Sequence, residues 1–247
     1  PESAGFADFL EGAAQAGAAG RWALEGGRDV WVGLPGMNEI VRHLADGLDL
    51  RQGTEIRSVA RAGSGWALDG TVFDKVISTI PAPQAATLLG PACPQFVAPL
   101  AGVEMEPSLT LMLAHRPGLA VPFETRRDPE APIAWLARDG AKPGRPCPEA
   151  WVAQASVAWS AAHINHEKEE IAALMCPMVC EILGIGLDDV THAVAHRWRY
   201  AQASRPLGQL YLAEGGSLFA GGDWALSARA EGAWQSGRAM AEAVLNG

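Results

Sequence analysis

The closing stretch limits the fold more than any other part of this chain. LFAGGDWALSARAEGAWQSGRAMAEAVLNG, residues 218–247, runs from an apolar strand through Gly221-Gly222-Asp223-Trp224 into a helix. The helix is expected to start near Glu231 and continue to the end. A strand that turns through glycines into a helix fits an α/β arrangement. Adjacent glycines let the backbone pass close to a ligand. Asp223 can accept hydrogen bonds from a sugar hydroxyl, and the helix start offers N–H groups and a positive dipole end. Gly232 and Ala233 carry little bulk, so a flat ring could approach them. Trp234, Gly237, Ala241 and Val244 are expected to form the packing face. The same residues also fit a strand, a loop and a packed helix with no ligand.

Upstream, residues 3–20 carry Phe6, Phe9, Leu10, Ala13 and Ala16 at helical spacing. RDVWVGLPGMNEIVRHLADGL reads as strand, turn and helix. Val30 and Val32 lie on the strand, Leu34-Pro35-Gly36 forms the turn, Asn38 caps the helix, and Ile40, Leu44 and Leu48 share one face. Residues 50–83 read as two or three short strands divided by Gly63-Ser64-Gly65 and Asp69-Gly70, then an apolar strand from Val76 to Ile80 ended by Pro81. After a proline-rich connector at 90–100, SLTLMLAH, PIAWLAR, AWVAQASVAW and HAVAHRWRYA predict an antiparallel sheet. One helix interrupts them, with Ile171, Met175, Val179 and Leu183 in its stripe, Glu167, Glu169 and Glu170 at its start, Pro177 within it and Gly184 at its end.

The charge of −9 and pI near 5.1 argue against a nucleic-acid surface. No apolar run is long enough to span a membrane, and the opening Pro1-Glu2-Ser3-Ala4-Gly5 carries no secretory pattern. A cytoplasmic protein with reduced cysteines is expected. His163 and His166 lack further ligands at metal spacing, so no metal is expected. No Ser-His-Asp set or nucleophile elbow is recognisable.

The closing stretch resembles the flavin-binding motif of FAD-dependent amine oxidases, specifically the renalase-like branch. The matching residues are Gly222-Asp223-Trp224, Glu231-Gly232-Ala233-Trp234 and Ser236-Gly237. VGLPGMNEIVRHLADGLDLRQGTEIRSV, FDKVISTIPAPQAATLL, AKPGR, HRWRYA and RPLG are similar to further family segments. The resemblance implies a cofactor site for FAD at Asp223, Trp224, Glu231, Gly232 and Ala233. It adds Gly36 and Met37 from the glycine-proline turn, and Ile56 from a strand whose backbone meets the adenine. There are two departures. Ala228-Arg229-Ala230 stands where the family has Gly-Arg-Val, and the Gly-x-Gly-x-x-Gly turn of a dinucleotide-binding βαβ unit is missing. The chain therefore reads as a flavoprotein without that segment, and this chain alone as an incomplete enzyme.

The implied fold is α/β with α+β character: part of an FAD domain of the glutathione-reductase/amine-oxidase type, at 1–90 and 211–247, plus an antiparallel-sheet substrate domain at 91–210. On the strand VAHRWRY, His196, Trp198 and Tyr200 share a face that could stack on a nicotinamide or aryl amine, with Arg197 and Arg199 opposite. Core packing explains the same pattern. Trp151 and Trp159 are placed on one strand face, as core. The resemblance implies hydride transfer from a small-molecule amine or dihydronicotinamide (NAD(P)-like) to FAD, with reoxidation by dioxygen. A truncated non-catalytic remnant without FAD and another flavin enzyme such as a desaturase are the alternatives. Exposed sheet edges would favour a homodimer.

Overall fold

The computed structural model describes residues 1–24, 27–147 and 149–246. In chain order the elements are α1 (Ala4–Gln15), β1 (Ala19–Leu24), β2 (Arg28–Gly33), α2 (Glu39–Leu44), β3 (Val59–Ala62), β4 (Gly65–Leu68), β5 (Thr71–Phe73), β6 (Val76–Ser78), α3 (Ala82–Leu89), α4 (Val97–Ala101), β7 (Glu104–His115), β8 (Thr125–Arg127), β9 (Ile133–Arg138), β10 (Ala150–Ala155), α5 (Val157–His163), α6 (Lys168–Leu183), β11 (Val190–Arg205), β12 (Leu212–Glu214), β13 (Leu218–Ala220), α7 (Asp223–Leu226) and α8 (Ala230–Asn246). Gly247, the expected end of the last helix, lies outside the described residues. The fold mixes helices with mainly antiparallel sheets, as expected. Two compact units emerge: Pro1–Glu2, Leu50–Glu106 and Tyr200–Gly247 form the first, Ser3–Asp49 and Pro107–Arg199 the second.

In the first unit, β13 pairs in parallel with β6 and antiparallel with β12. Leu218, Phe219 and Ala220 are all buried, the continuous apolar reading that suits a strand covered on both faces. The meander β3–β4–β5 forms a separate sheet. Its Trp66 is fully buried in one core with Val59, Leu89 and Leu212, and the indole N–H donates to Ser217 Oγ at 3.0 Å. The strand expected around Ile56 does not form, and Ile56 is 36% exposed. The backbone there is claimed otherwise: the N–H groups of Arg57 and Ser58 donate to the Asp69 carboxylate at 2.8–3.2 Å instead of to a ladder. The buried face of α8 is Gly232, Ser236 and Met240. That corrects the expected face: Ala241 is exposed, and a Cβ on Gly237 would meet nothing within 4 Å.

In the second unit the strand order is β11-β7-β10-β9-β8. Alternation puts Leu109, Leu111, Leu113, Trp151 and Ala153 on one sheet face, where they form a core with Ile171, Met175, Val179 and Leu183 of α6. Helix α6 has the expected ends. Glu167 and Glu170 make a capping box, and Gly184 closes it at φ 69°, a left-handed position that favours glycine. Met175 is fully buried, and truncating such a side chain to alanine costs about 2–5 kcal/mol. The strand expected through AWVAQASVAW stops at Ala155. Ser156 Oγ accepts the N–H of Trp159 and caps α5, so Trp159 lies on a helix, away from the strand of Trp151.

The other sheet face is covered at β9 by the β1–β2 pair, where Trp22 and Val32 pack on Ala137. Residues 3–49, which the sequence reading allotted to the cofactor side, fall in this unit. The packing of Trp22 and Val32 on β9 accounts for part of that grouping. The apolar face of α2 is short and open, with Val41 and Leu44 more than half exposed and no residue of the helix buried.

Candidate functional site

The first unit offers a turn built for close approach. The β6–β13 ladder continues one step beyond the strands, with the N–H of Gly221 donating to Ser78 O at 3.0 Å. Gly222 then takes φ 148° and ψ −161°, a conformation essentially confined to glycine. Its carbonyl accepts the N–H of Ala225 at 3.1 Å and starts α7, a short helix not anticipated from sequence. Asp223 opens α7 half-buried. Among the described residues no hydrogen bond or ion pair engages its carboxylate. A partly buried acceptor without a protein partner suits a hydroxyl donor from outside the chain.

The neighbours expected beside Asp223 have other duties. The Trp224 side chain is fully buried, and its indole N–H donates to Ile80 O at 3.0 Å. It is a core residue with no face open to a ligand. Gly232 is buried because Ser227 presses on it: a Cβ there would lie 2.6 Å from Ser227 Oγ and 2.7 Å from Ser227 O. Its small size serves helix–loop packing. The Glu231 carboxylate accepts the N–H of Glu2 at 2.7 Å. Ala233 N–H donates to Arg229 O within the first turn of α8. Ile56 lies in the same unit, outside any strand.

Ser236, in the same motif, has a role the sequence alone does not assign. Its hydroxyl is fully buried, donates to Leu210 O at 2.6 Å and accepts the Gly222 N–H at 3.0 Å. A serine four residues into a glycine-flanked helical motif was the available signal.

The second unit holds a cavity of about 430 Å³, lined among others by Gly36, Met37, Met112, Val152 and His192. Two of the predicted residues, Gly36 and Met37, meet here. Gly33 fixes the turn that carries them, since a Cβ at Gly33 would lie 2.3 Å from Gly36 O. The AKPGR segment pins the same turn. Arg145 donates to Gly33 O at 3.0 Å, to Pro35 O, and to Asp139 at 3.1 Å. Lys142 reaches the other oxygen of Asp139 at 2.6 Å. Two cations on one carboxylate leave a local surplus of positive charge beside an otherwise apolar cavity. Sequence reading singled out AKPGR as a family segment but gave Asp139 and Arg145 no role.

His196 and Trp198 lie on one face of β11 with ring centroids 4.3 Å apart, and Trp198 is 53% exposed. Tyr200, further along the same strand, opens the last segment of the first unit. The opposite face is engaged: Arg197 donates to His166 O at 2.8 Å and Arg199 to Asn165 at 3.3 Å. His163 stacks on Trp159 at 4.0 Å, its Nδ1 against Trp159 O.

Solved structures share this fold. A candidate protoporphyrinogen oxidase from Exiguobacterium sp. 255-15 is 17% identical, with a TM-score of 0.64 over 88% of this chain and 52% of its own. Cyclohexylamine oxidase from Brevibacterium oxydans IH-35A is 16% identical, with a TM-score of 0.66 over 88% of this chain and 54% of its own. This chain thus spans about half the length of these structures. The family model for flavin containing amine oxidoreductase matches residues 3–245, and the chain belongs to that family. FAD is the cofactor the family implies. No helix among the described residues is long and apolar enough to cross a membrane.

Proposed function

We propose that the chain contributes one end of the FAD site, and a substrate surface, to a renalase-like FAD-dependent oxidoreductase. The observation that carries the reading is the half-buried carboxylate of Asp223, without a partner among the described residues, behind a glycine-only turn. FAD, when bound, would supply the two-electron acceptor for a hydride, with dioxygen as terminal oxidant. Asp223 would hold a sugar hydroxyl of the cofactor. The dipole at the start of α8 favours negative charge nearby. Met37, 52% exposed on the pinned turn, and the apolar cavity beside it would receive the donor molecule, an amine or a dihydronicotinamide. His196 and Trp198 would stack on a flat ring. Tyr200, Ile56, Gly232 and Ala233 stay in the proposal as backbone or ring contacts, and Glu231 as a first-turn carboxylate. Trp224 acts through the core only.

A second copy of the chain would pair through β6, an edge strand whose Ile77 is 42% exposed. The protein is proposed to work in the cytoplasm. The test is the visible absorbance of the purified chain before and after addition of FAD and desalting. Retained flavin bands support the reading, and assays with amines and dihydronicotinamides then choose the donor. A colourless chain refutes flavin binding by these residues alone and favours a non-catalytic chain.

A further inference from the structure

We propose that Ser236 is a positioning residue that sets the Gly221–Asp223 turn for its ligand. The inference rests on the flavin reading above. The turn is held at three points. Gly221 N–H is fixed by Ser78 O, the Gly222 carbonyl by Ala225 N–H, and the Gly222 N–H by Ser236 Oγ. Only the third is a side chain. A hydroxyl has one proton to give and lone pairs to receive. Ser236 uses both, giving its proton to Leu210 O at 2.6 Å and receiving from Gly222 at 3.0 Å.

The same contact explains Gly221. A Cβ there would lie 2.4 Å from Ser236 Oγ, so the absence of a side chain is what admits the hydroxyl. The link also closes a ring of segments, because Leu207 and Gly208 donate to Trp224 O and Ala225 O just upstream of Leu210. The consequence falls on Asp223. With no partner among the described residues, its carboxylate is aimed by its backbone. That backbone follows directly from Gly222, whose N–H Ser236 holds. Removing the hydroxyl strands a buried N–H and a carbonyl, and frees the residue that leads into Asp223.

The experiment compares the full 247-residue chain with Ser236→Ala, Ser236→Cys and Leu89→Ala. Leu89 is fully buried in the core of the same unit and takes part in none of the turn's hydrogen bonds, so it controls for lost stability. Amide exchange at Gly222 is read by NMR, and FAD affinity by flavin fluorescence. Ser236→Ala is expected to speed Gly222 exchange at least about tenfold and to weaken FAD binding by a similar factor. Ser236→Cys keeps much of the volume with a weaker donor, shows the same direction, and stands in if the alanine variant does not fold. Leu89→Ala lowers stability with FAD affinity unchanged. Serine variants that bind FAD as tightly as the parent, or unchanged Gly222 exchange, overturn the role. A parent chain that binds no FAD overturns the flavin reading and this role together, and only that outcome leaves the parent itself colourless.

Discussion

Gly222→Ala should destabilise the first unit, and the size follows from the backbone. At φ 148° and ψ −161° an L-residue is strained by about 1–3 kcal/mol. The new Cβ would also lie 3.1 Å from Trp224 Nε1 and 3.6 Å from Thr79 O. Trp224 cannot swing aside, because it is fully buried and its indole N–H is bonded to Ile80 O. The upper part of the range therefore applies, about 2–3 kcal/mol, or a fall in Tm of about 4–12 °C for a chain of this size. Gly237→Ala supplies the opposite sign. It sits inside α8 with open space where its Cβ would go, so the substitution should gain about 0.5–1 kcal/mol from helix propensity. Thermal melts followed by far-UV circular dichroism measure both. A silent Gly222→Ala, or a Gly237→Ala melting below the parent, would refute the argument from backbone conformation and local space.

Three further outcomes are expected. Arg145→Met removes the buried pin on the Gly33–Gly36 turn, with the Arg145 side chain 5% exposed, and should cost about 2–4 kcal/mol in urea unfolding; an unchanged midpoint would show the pin to be idle. Thiol titration with an aromatic disulfide at pH 8 should label exposed Cys147 first, while burial raises the Cys93 thiol and pushes Cys180, next to Cys176, up to about 12, so both wait for denaturant; rapid labelling of Cys180 in the folded chain would contradict this. The Arg57 N–H, then the Ser58 hydroxyl, hold the Asp69 carboxyl below its usual value, so its contribution is present above the ordinary carboxylate range and is lost as pH falls through the lowered value. The stability gap between the parent and Asp69→Asn should therefore narrow on acidification, and a gap that widens toward low pH would reverse the sign.

Much of the fold was legible because periodicity and end signals agreed. In α6 the stripe, the acidic start and Gly184 all point to one helix, and the capping box and left-handed glycine realise them. Two or three short strands were expected here, and residues 59–73 form three, divided at Gly63 and Gly70, both of which take positive φ. Misreadings came where a local polar group outbid the pattern. AWVAQASVAW alternates well enough for a strand, yet the Ser156 hydroxyl caps a helix and takes Trp159 out of the sheet. Around Ile56 the family resemblance implied a strand, but the Asp69 carboxylate, twelve residues away from Arg57 in sequence, has claimed the N–H groups a ladder would need.

The site divides along the same line. Asp223 could be picked out because a carboxylate between glycines and a helix has few structural uses, and its lack of a partner among the described residues fits that reading. Trp224 and Gly232 were picked out by the same motif, yet their side chains are explained by packing, against Ile80 O and Ser227 respectively. A motif marks residues that must keep their identity. It does not say whether a ligand or the neighbouring backbone imposes the requirement. For Gly221 the structure separates the two, since the nearest atom a Cβ would meet is the Ser236 hydroxyl, fifteen residues on, and that hydroxyl in turn holds Gly222. Part of the motif is therefore the turn's own scaffold, and a substitution in that scaffold should reach the ligand only through the aim of Asp223.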